Sequence, residues 1–222
     1  MPLSVVTAVL LGLAGLIVGQ ALALISVRLP TEEDVRVEAD SWARLALSRR
    51  HILFSLTAAG IGVWAALSGH GWPTAVAGAL LGWQLLLIAA VDAEHFWLPD
   101  ILTLPMIGTG LIASALLTGG PPWPQIIGAV MGFSLLWLLA WLYRAVRRRE
   151  GLGGGDPVLF AGAGAWVGWT GLPGVFLVAC AACLCLVLGR LLWRRPVSGA
   201  DRMPFGAFVT IGVWLVWLYP RV

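Results

Sequence analysis

The chain has 222 residues, of which 59% are hydrophobic and only 11% charged, and its mean hydropathy is +0.91. Soluble domains carry roughly 25% charged residues, so this composition belongs in a bilayer and leaves no room for a separate soluble module. The net charge of +3 comes entirely from arginine, since there is no lysine; in a membrane chain such an excess sets topology rather than binding nucleic acid.

A membrane helix needs about 20 apolar residues, and the pattern predicts an all-α, polytopic chain of about eight such helices forming one integral-membrane domain over residues 1–222. The first apolar run, 3–27, has no basic leader region and is too long for a signal-peptide core, so it reads as a retained first helix. Arg28-Leu29-Pro30 ends it. The loop 28–50 mixes Glu32, Glu33, Asp34, Glu38 and Asp40 with arginines, and is expected to hold a short interfacial helix around 39–47. Helix two is predicted over 51–67. Helix three, 74–91, delivers Asp92 at its end. Helix four begins near Pro99-Asp100 and runs to 117; the Gly/Pro-rich turn 118–124 cannot be helical, and helix five covers 125–143.

Helix six, 157–169, is short: at 1.5 Å per residue it reaches roughly 20 Å against a hydrocarbon core of roughly 30 Å. The glycine-rich segment before it is therefore expected to enter the membrane, which backbone does only where protein or a wet cavity surrounds it. After a turn at 170–173, helix seven is predicted over 174–193 and helix eight over 204–219. Cys180, Cys183 and Cys185 all fall inside helix seven and read as small buried hydrophobes, not as metal ligands.

The arginines orient this scheme. With the N-terminus outside, the inner loops 28–50, 92–98, 144–156 and 194–203, together with Arg190, hold every arginine except Arg221. The outer turns 68–73, 118–124 and 170–173 hold none, which is the positive-inside pattern.

Both Asp92 and Asp156 then lie at the cytoplasmic face. Asp156 ends the run Gly151-Leu152-Gly153-Gly154-Gly155, and an acid at the mouth of a membrane helix needs a partner or a function. Asp156-Pro157 also reads as a helix start with Asp as N-cap and Pro next, and Asp100 after Pro99 reads the same way. Asp92, at the end of a predicted helix, would oppose the macrodipole. Two carboxylates held together share a proton, so one can activate water while the other polarises a carbonyl. No Gly-x-Ser-x-Gly, Ser/Lys pair or His-Glu-x-x-His is present, which leaves aspartyl chemistry as the hydrolytic option.

These residues resemble the type IV prepilin leader peptidases, membrane aspartic proteases of the GxGD class. The resemblance is carried by Asp92-Ala93-Glu94-His95-Phe96-Trp97-Leu98-Pro99-Asp100-Ile101-Leu102-Thr103-Leu104-Pro105, by Gly151 to Asp156, and by Met203-Pro204-Phe205-Gly206-Ala207-Phe208. It implies that Asp92 and Asp156 are catalytic, and that prepilins or pseudopilins of type IV pili or type II secretion are cleaved at the inner face of a bacterial inner membrane. The motif glycines Gly151, Gly153 and Gly155 are expected to let substrate approach the backbone. The expected partners are these substrates and the bilayer, with no nucleic acid.

Two departures stand out. Val158 replaces the family's usual lysine, and the loop 28–50 lacks the two Cys-x-x-Cys pairs that bind zinc in many members, in a region tied to N-methylation of the cleaved pilin. No metal and no cofactor are therefore expected, S-adenosylmethionine being needed only where methylation is retained. The alternatives are another GxGD protease, although the Tyr-Asp motif of presenilin-type enzymes is Val91-Asp92 here, and a proton-coupled transporter, whose carboxylates would sit at the membrane midplane.

Overall fold

The computed structural model describes residues 3–28, 41–68, 71–148, 153–193 and 203–219. Among the described residues there are seven helices and no strand: α1 (Leu3–Arg28), α2 (Ser41–Leu67), α3 (Trp72–His95), α4 (Asp100–Thr118), α5 (Trp123–Arg147), α6 (Asp156–Leu192) and α7 (Phe205–Leu218). Six are long and apolar enough to cross a membrane, and α7 is a shorter apolar helix. The chain forms two compact units, 1–87 and 88–222, with the boundary inside α3.

In the first unit α1 and α2 are an antiparallel pair. A Cβ on Gly15 would overlap the Ala58 carbonyl, one on Gly19 would overlap Ser55, and one on Gly62 would overlap Leu11. Small residues at such spacing let two helix backbones approach, which is how membrane helices gain packing where burial from water gives no driving force. Gln20 Nε2 donates to Ser55 Oγ at 2.9 Å and Arg50 Nε to Ser26 Oγ at 3.0 Å, while the Trp83 indole of α3 donates to the Ala58 carbonyl at 2.9 Å. The interfacial helix expected at 39–47 is not separate: α2 runs unbroken from Ser41, because no glycine or proline interrupts the chain before Gly60.

The second unit is organised by α6. Its backbone breaks at Gly168 (φ 72°, ψ 174°), a conformation open essentially to glycine alone. The break divides the helix into an incoming arm, 156–167, and an outgoing arm, 169–192. The arms fold back on each other. Phe160 and Phe176 would lie roughly 24 Å apart along a straight helix, yet their rings meet edge-to-face at 6.4 Å between centroids.

The contacts of α7 agree. Trp166 of the incoming arm meets Trp217 at 5.1 Å, so that arm runs parallel to α7. The outgoing arm runs antiparallel to it, with Gly171 beside Val216, Val175 against Gly212, and Cys183 Sγ 3.6 Å from Met203 Sδ. The predicted turn at 170–173 is therefore helix, and the reversal falls just before it, where the left-handed glycine is.

α5 packs antiparallel on the incoming arm through glycine contacts, Gly128 with Gly164 and Gly132 with the Phe160 carbonyl. α4 packs parallel to that arm: Gly162 faces Met106, Gly110 faces Trp166, and the Trp166 indole donates to the Met106 carbonyl at 3.0 Å. The incoming arm is roughly 18 Å long and the outgoing arm roughly 36 Å. Sharing the Gly168 end, they leave the start of the incoming arm about halfway along its longer neighbour. α5 likewise continues past the level of Asp156 from its last buried residue, Leu136, to Arg147.

Candidate active site

The directions of these helices bring four segment ends together in the second unit: the last turn of α3 and the first turns of α4, the incoming arm and α7. Asp92 is in the first of these. The helix does not stop before it, as the sequence pattern suggests, but continues to His95, because Ala93 and Glu94 favour helix and the chain turns only at Phe96 (φ 51°). Asp92 is 5% exposed. Its Oδ2 accepts the backbone N–H of Ala207 at 2.8 Å, and the Gly206 amide also interacts with the carboxylate. The acid that seemed to oppose the dipole of its own helix thus caps the N-terminus of another, where a negative charge is favoured.

Asp156 is 7% exposed and is the first residue of α6, with Gly155 at the cap position and Pro157 following. It is not the N-cap expected from its place before proline. Its carboxylate reaches back instead: Gly153 N–H donates to Asp156 Oδ2 at 2.9 Å, and Asp156 N–H returns a bond to the Gly153 carbonyl at 3.3 Å. Gly155 packs so closely on Leu98 that a Cβ there would overlap the Leu98 carbonyl. Gly153 itself is exposed, and Gly151 lies outside the described residues. Asp92 and Asp156 interact electrostatically across this site.

Among the described residues, the other acids do not join them. Asp100 is exposed and makes no capping bond, the cap position being Pro99. Glu94 and His95 are exposed neighbours in the last turn of α3, Oε2 to Nε2 3.9 Å. The acidic residues of the loop 28–50, Glu32 to Asp40, lie outside the described residues. Sequence reasoning missed the Ala207 amide and Leu98. The signal available was Gly206 at the start of a helix: a Cβ there would stand 3.0 Å from Asp92 Oδ2 and 2.7 Å from Leu98 Cδ1, so a side chain at this position would have to displace Leu98 and press on the carboxylate.

Two buried carboxylates, each tied to a backbone amide at adjoining helix ends among apolar helices long enough to span a membrane, define a multi-pass membrane protein with these acids as its candidate centre. Residues 79–188 match the profile of the type IV leader peptidase family. It is similar to the prepilin leader peptidase/N-methyltransferase of Aeromonas salmonicida strain A449, 35% identical over 175 residues, which is 78% of this chain and 60% of the relative. The protein so described from Pseudomonas aeruginosa is 36% identical over 181 residues, 81% of this chain and 61% of the relative. That from Dichelobacter nodosus is 36% identical over 176 residues, 78% of this chain and 59% of the relative. The chain thus spans about three fifths of the length of these curated relatives. No solved structure matches it.

Proposed function

We propose that the chain is a membrane aspartic endopeptidase that removes the leader peptide from type IV prepilins or pseudopilins at the cytoplasmic face of a bacterial inner membrane. The observation that carries this reading is the burial of Asp92 and Asp156 at one end of the helices of the second unit, where Leu98 packs against both Gly155, beside Asp156, and Gly206, beside the amide that binds Asp92. The relatives' descriptions supply the substrate class.

The chemistry is general acid–base hydrolysis. Neighbouring carboxylates hold one proton between them more readily than none. The ionised member draws a proton from water, and the protonated member donates a hydrogen bond to the scissile carbonyl, whose oxygen becomes negative as the tetrahedral intermediate forms. The backbone amides of Gly153 and Ala207 orient the two carboxylates without supplying protons to the reaction. The proton arrangement belongs to the pair and not to either residue. Exposed backbone at Gly153 gives an extended substrate a side-chain-free approach to Asp156.

Charge supports the cytoplasmic orientation. In the second unit Arg144, Arg147, Arg148 and Arg190 all lie at the end that holds the carboxylates. Residues 118–123 and 168–173, at the other end, carry no lysine or arginine.

Purified protein incubated with a prepilin in detergent is the test. Release of a leader peptide with a single new N-terminus is the expected result, whereas an intact prepilin would leave a transporter or a structural subunit as the reading. The same reaction with labelled S-adenosylmethionine examines methylation. We expect cleavage without label, since the loop 28–50 offers no cysteine for a zinc cluster; stoichiometric label on the new N-terminus would refute that.

A further inference from the structure

The two carboxylates arrive on different helices, yet a single side chain touches the neighbour of each. Leu98 lies in the short connection between α3 and α4 and is 5% exposed, although Phe96 and Trp97 beside it are 45% and 41% exposed. The left-handed backbone at Phe96 turns the chain there, and Pro99 then starts α4. On one side Leu98 meets Gly155, the residue before Asp156: a Cβ built there would stand 2.7 Å from Leu98 Cβ and overlap its carbonyl oxygen. On the other it meets Gly206, the residue before the amide that binds Asp92: a Cβ there would stand 2.7 Å from Leu98 Cδ1. Glycine at both places lets the leucine seat against bare backbone.

We propose that Leu98 is a positioning residue, a wedge between the N-termini of the incoming arm and α7 that sets the spacing of Asp92 and Asp156. The proposal rests on the carboxylate pair being the catalytic centre. Interiors packed at crystal-like density transmit small displacements. A misplacement of about 1 Å in a reacting group costs on the order of a hundredfold in rate. Leu98 makes no contact with the reacting atoms in this account; it acts through the two glycines on the helix starts that carry or hold the acids.

The experiment measures kcat and KM for prepilin cleavage by purified Leu98→Ala, Leu98→Met, Gly206→Ala and the Leu98→Ala/Gly206→Ala double variant. Each is normalised to folded, monodisperse protein. The wedge predicts that Leu98→Ala lowers kcat at least tenfold with KM within threefold, and that Leu98→Met, which refills the volume, returns most of the rate. Gly206→Ala drives its methyl into Leu98 Cδ1. Truncating the leucine relieves that contact but not the 3.0 Å approach of the methyl to Asp92 Oδ2, so the double variant should retain more activity than the product of the two single residual activities, without returning to the Leu98→Ala rate. A Leu98→Ala enzyme within twofold of the parent in kcat, or a double variant whose losses simply multiply, would overturn the proposal. Should Leu98→Ala not insert, Leu98→Val removes the same Cδ1 contact and carries the same expectations. Asp92→Asn in the same assay separates the two levels. An active Asp92→Asn enzyme removes the carboxylate-pair reading and the wedge with it, whereas an inactive one beside a fully active Leu98→Ala enzyme removes the wedge alone.

Discussion

Asp92 serves two ends that different substitutions separate. As an acceptor for the Ala207 amide it closes the start of α7, and its charge acts on Asp156. Asp92→Ala leaves that amide without its partner, and loss of a cap of this kind costs typically about 1 kcal/mol. Asp92→Asn keeps an acceptor oxygen of the same size. We therefore expect Asp92→Ala to melt below Asp92→Asn in detergent by the equivalent of about 1 kcal/mol; equal melting temperatures would show that the amide bond contributes nothing. Both aspartates were legible in the sequence because charge is rare in this chain and each stands beside an apolar run. Their partners were not. The bond from Ala207 spans 115 positions, and no local pattern announces which helix start a distant acid will cap. Gly153, by contrast, lies three positions from the carboxylate it binds, and its place in the glycine run marked it.

At the scale of elements, hydrophobic runs found the helices, while backbone conformation decided where they broke. Gly171-Leu172-Pro173 carries the usual marks of a turn, yet the chain reverses at Gly168, leaving Pro173 near the start of the outgoing arm, where a proline is tolerated. Several glycines lie between Gly151 and Gly174, and composition alone does not say which of them adopts positive φ. Gly168→Ala is predicted to destabilise the protein by about 1–3 kcal/mol. The nearest neighbour of the new methyl, Pro124 Cβ at 3.6 Å, is in ordinary contact, so the cost is conformational. Gly189→Ala is the control. It lies within the outgoing arm with open space around it and should be neutral or slightly stabilising, as alanine is the better helix former. Thermal denaturation of the two variants side by side measures the difference, and equal midpoints would contradict a strained reversal.

On the scale of the whole molecule, helices of unequal length set the depth of the chemistry. The incoming arm and α7 are short, while α5 and the outgoing arm continue beyond them, so the acid pair sits below the ends of its longer neighbours on the arginine-bearing side. Single cysteines at Ser68 and Gly119 should react with an impermeant thiol reagent from outside the cell, and one at Arg147 should not. Labelling at Arg147 would reverse the orientation. The central claim is that Asp92 and Asp156 act as one proton-transferring pair, and cleavage kinetics of Asp92→Asn, Asp156→Asn and Asp100→Asn with a prepilin substrate test it most directly. Asparagine keeps the size and the acceptor oxygen that each amide needs but cannot exchange the proton. The account predicts that the first two variants are folded and inserted yet lose cleavage by at least a thousandfold, while Asp100→Asn, whose side chain is exposed, keeps most of it. A folded Asp92→Asn or Asp156→Asn protein that cleaves at the parent rate would contradict it.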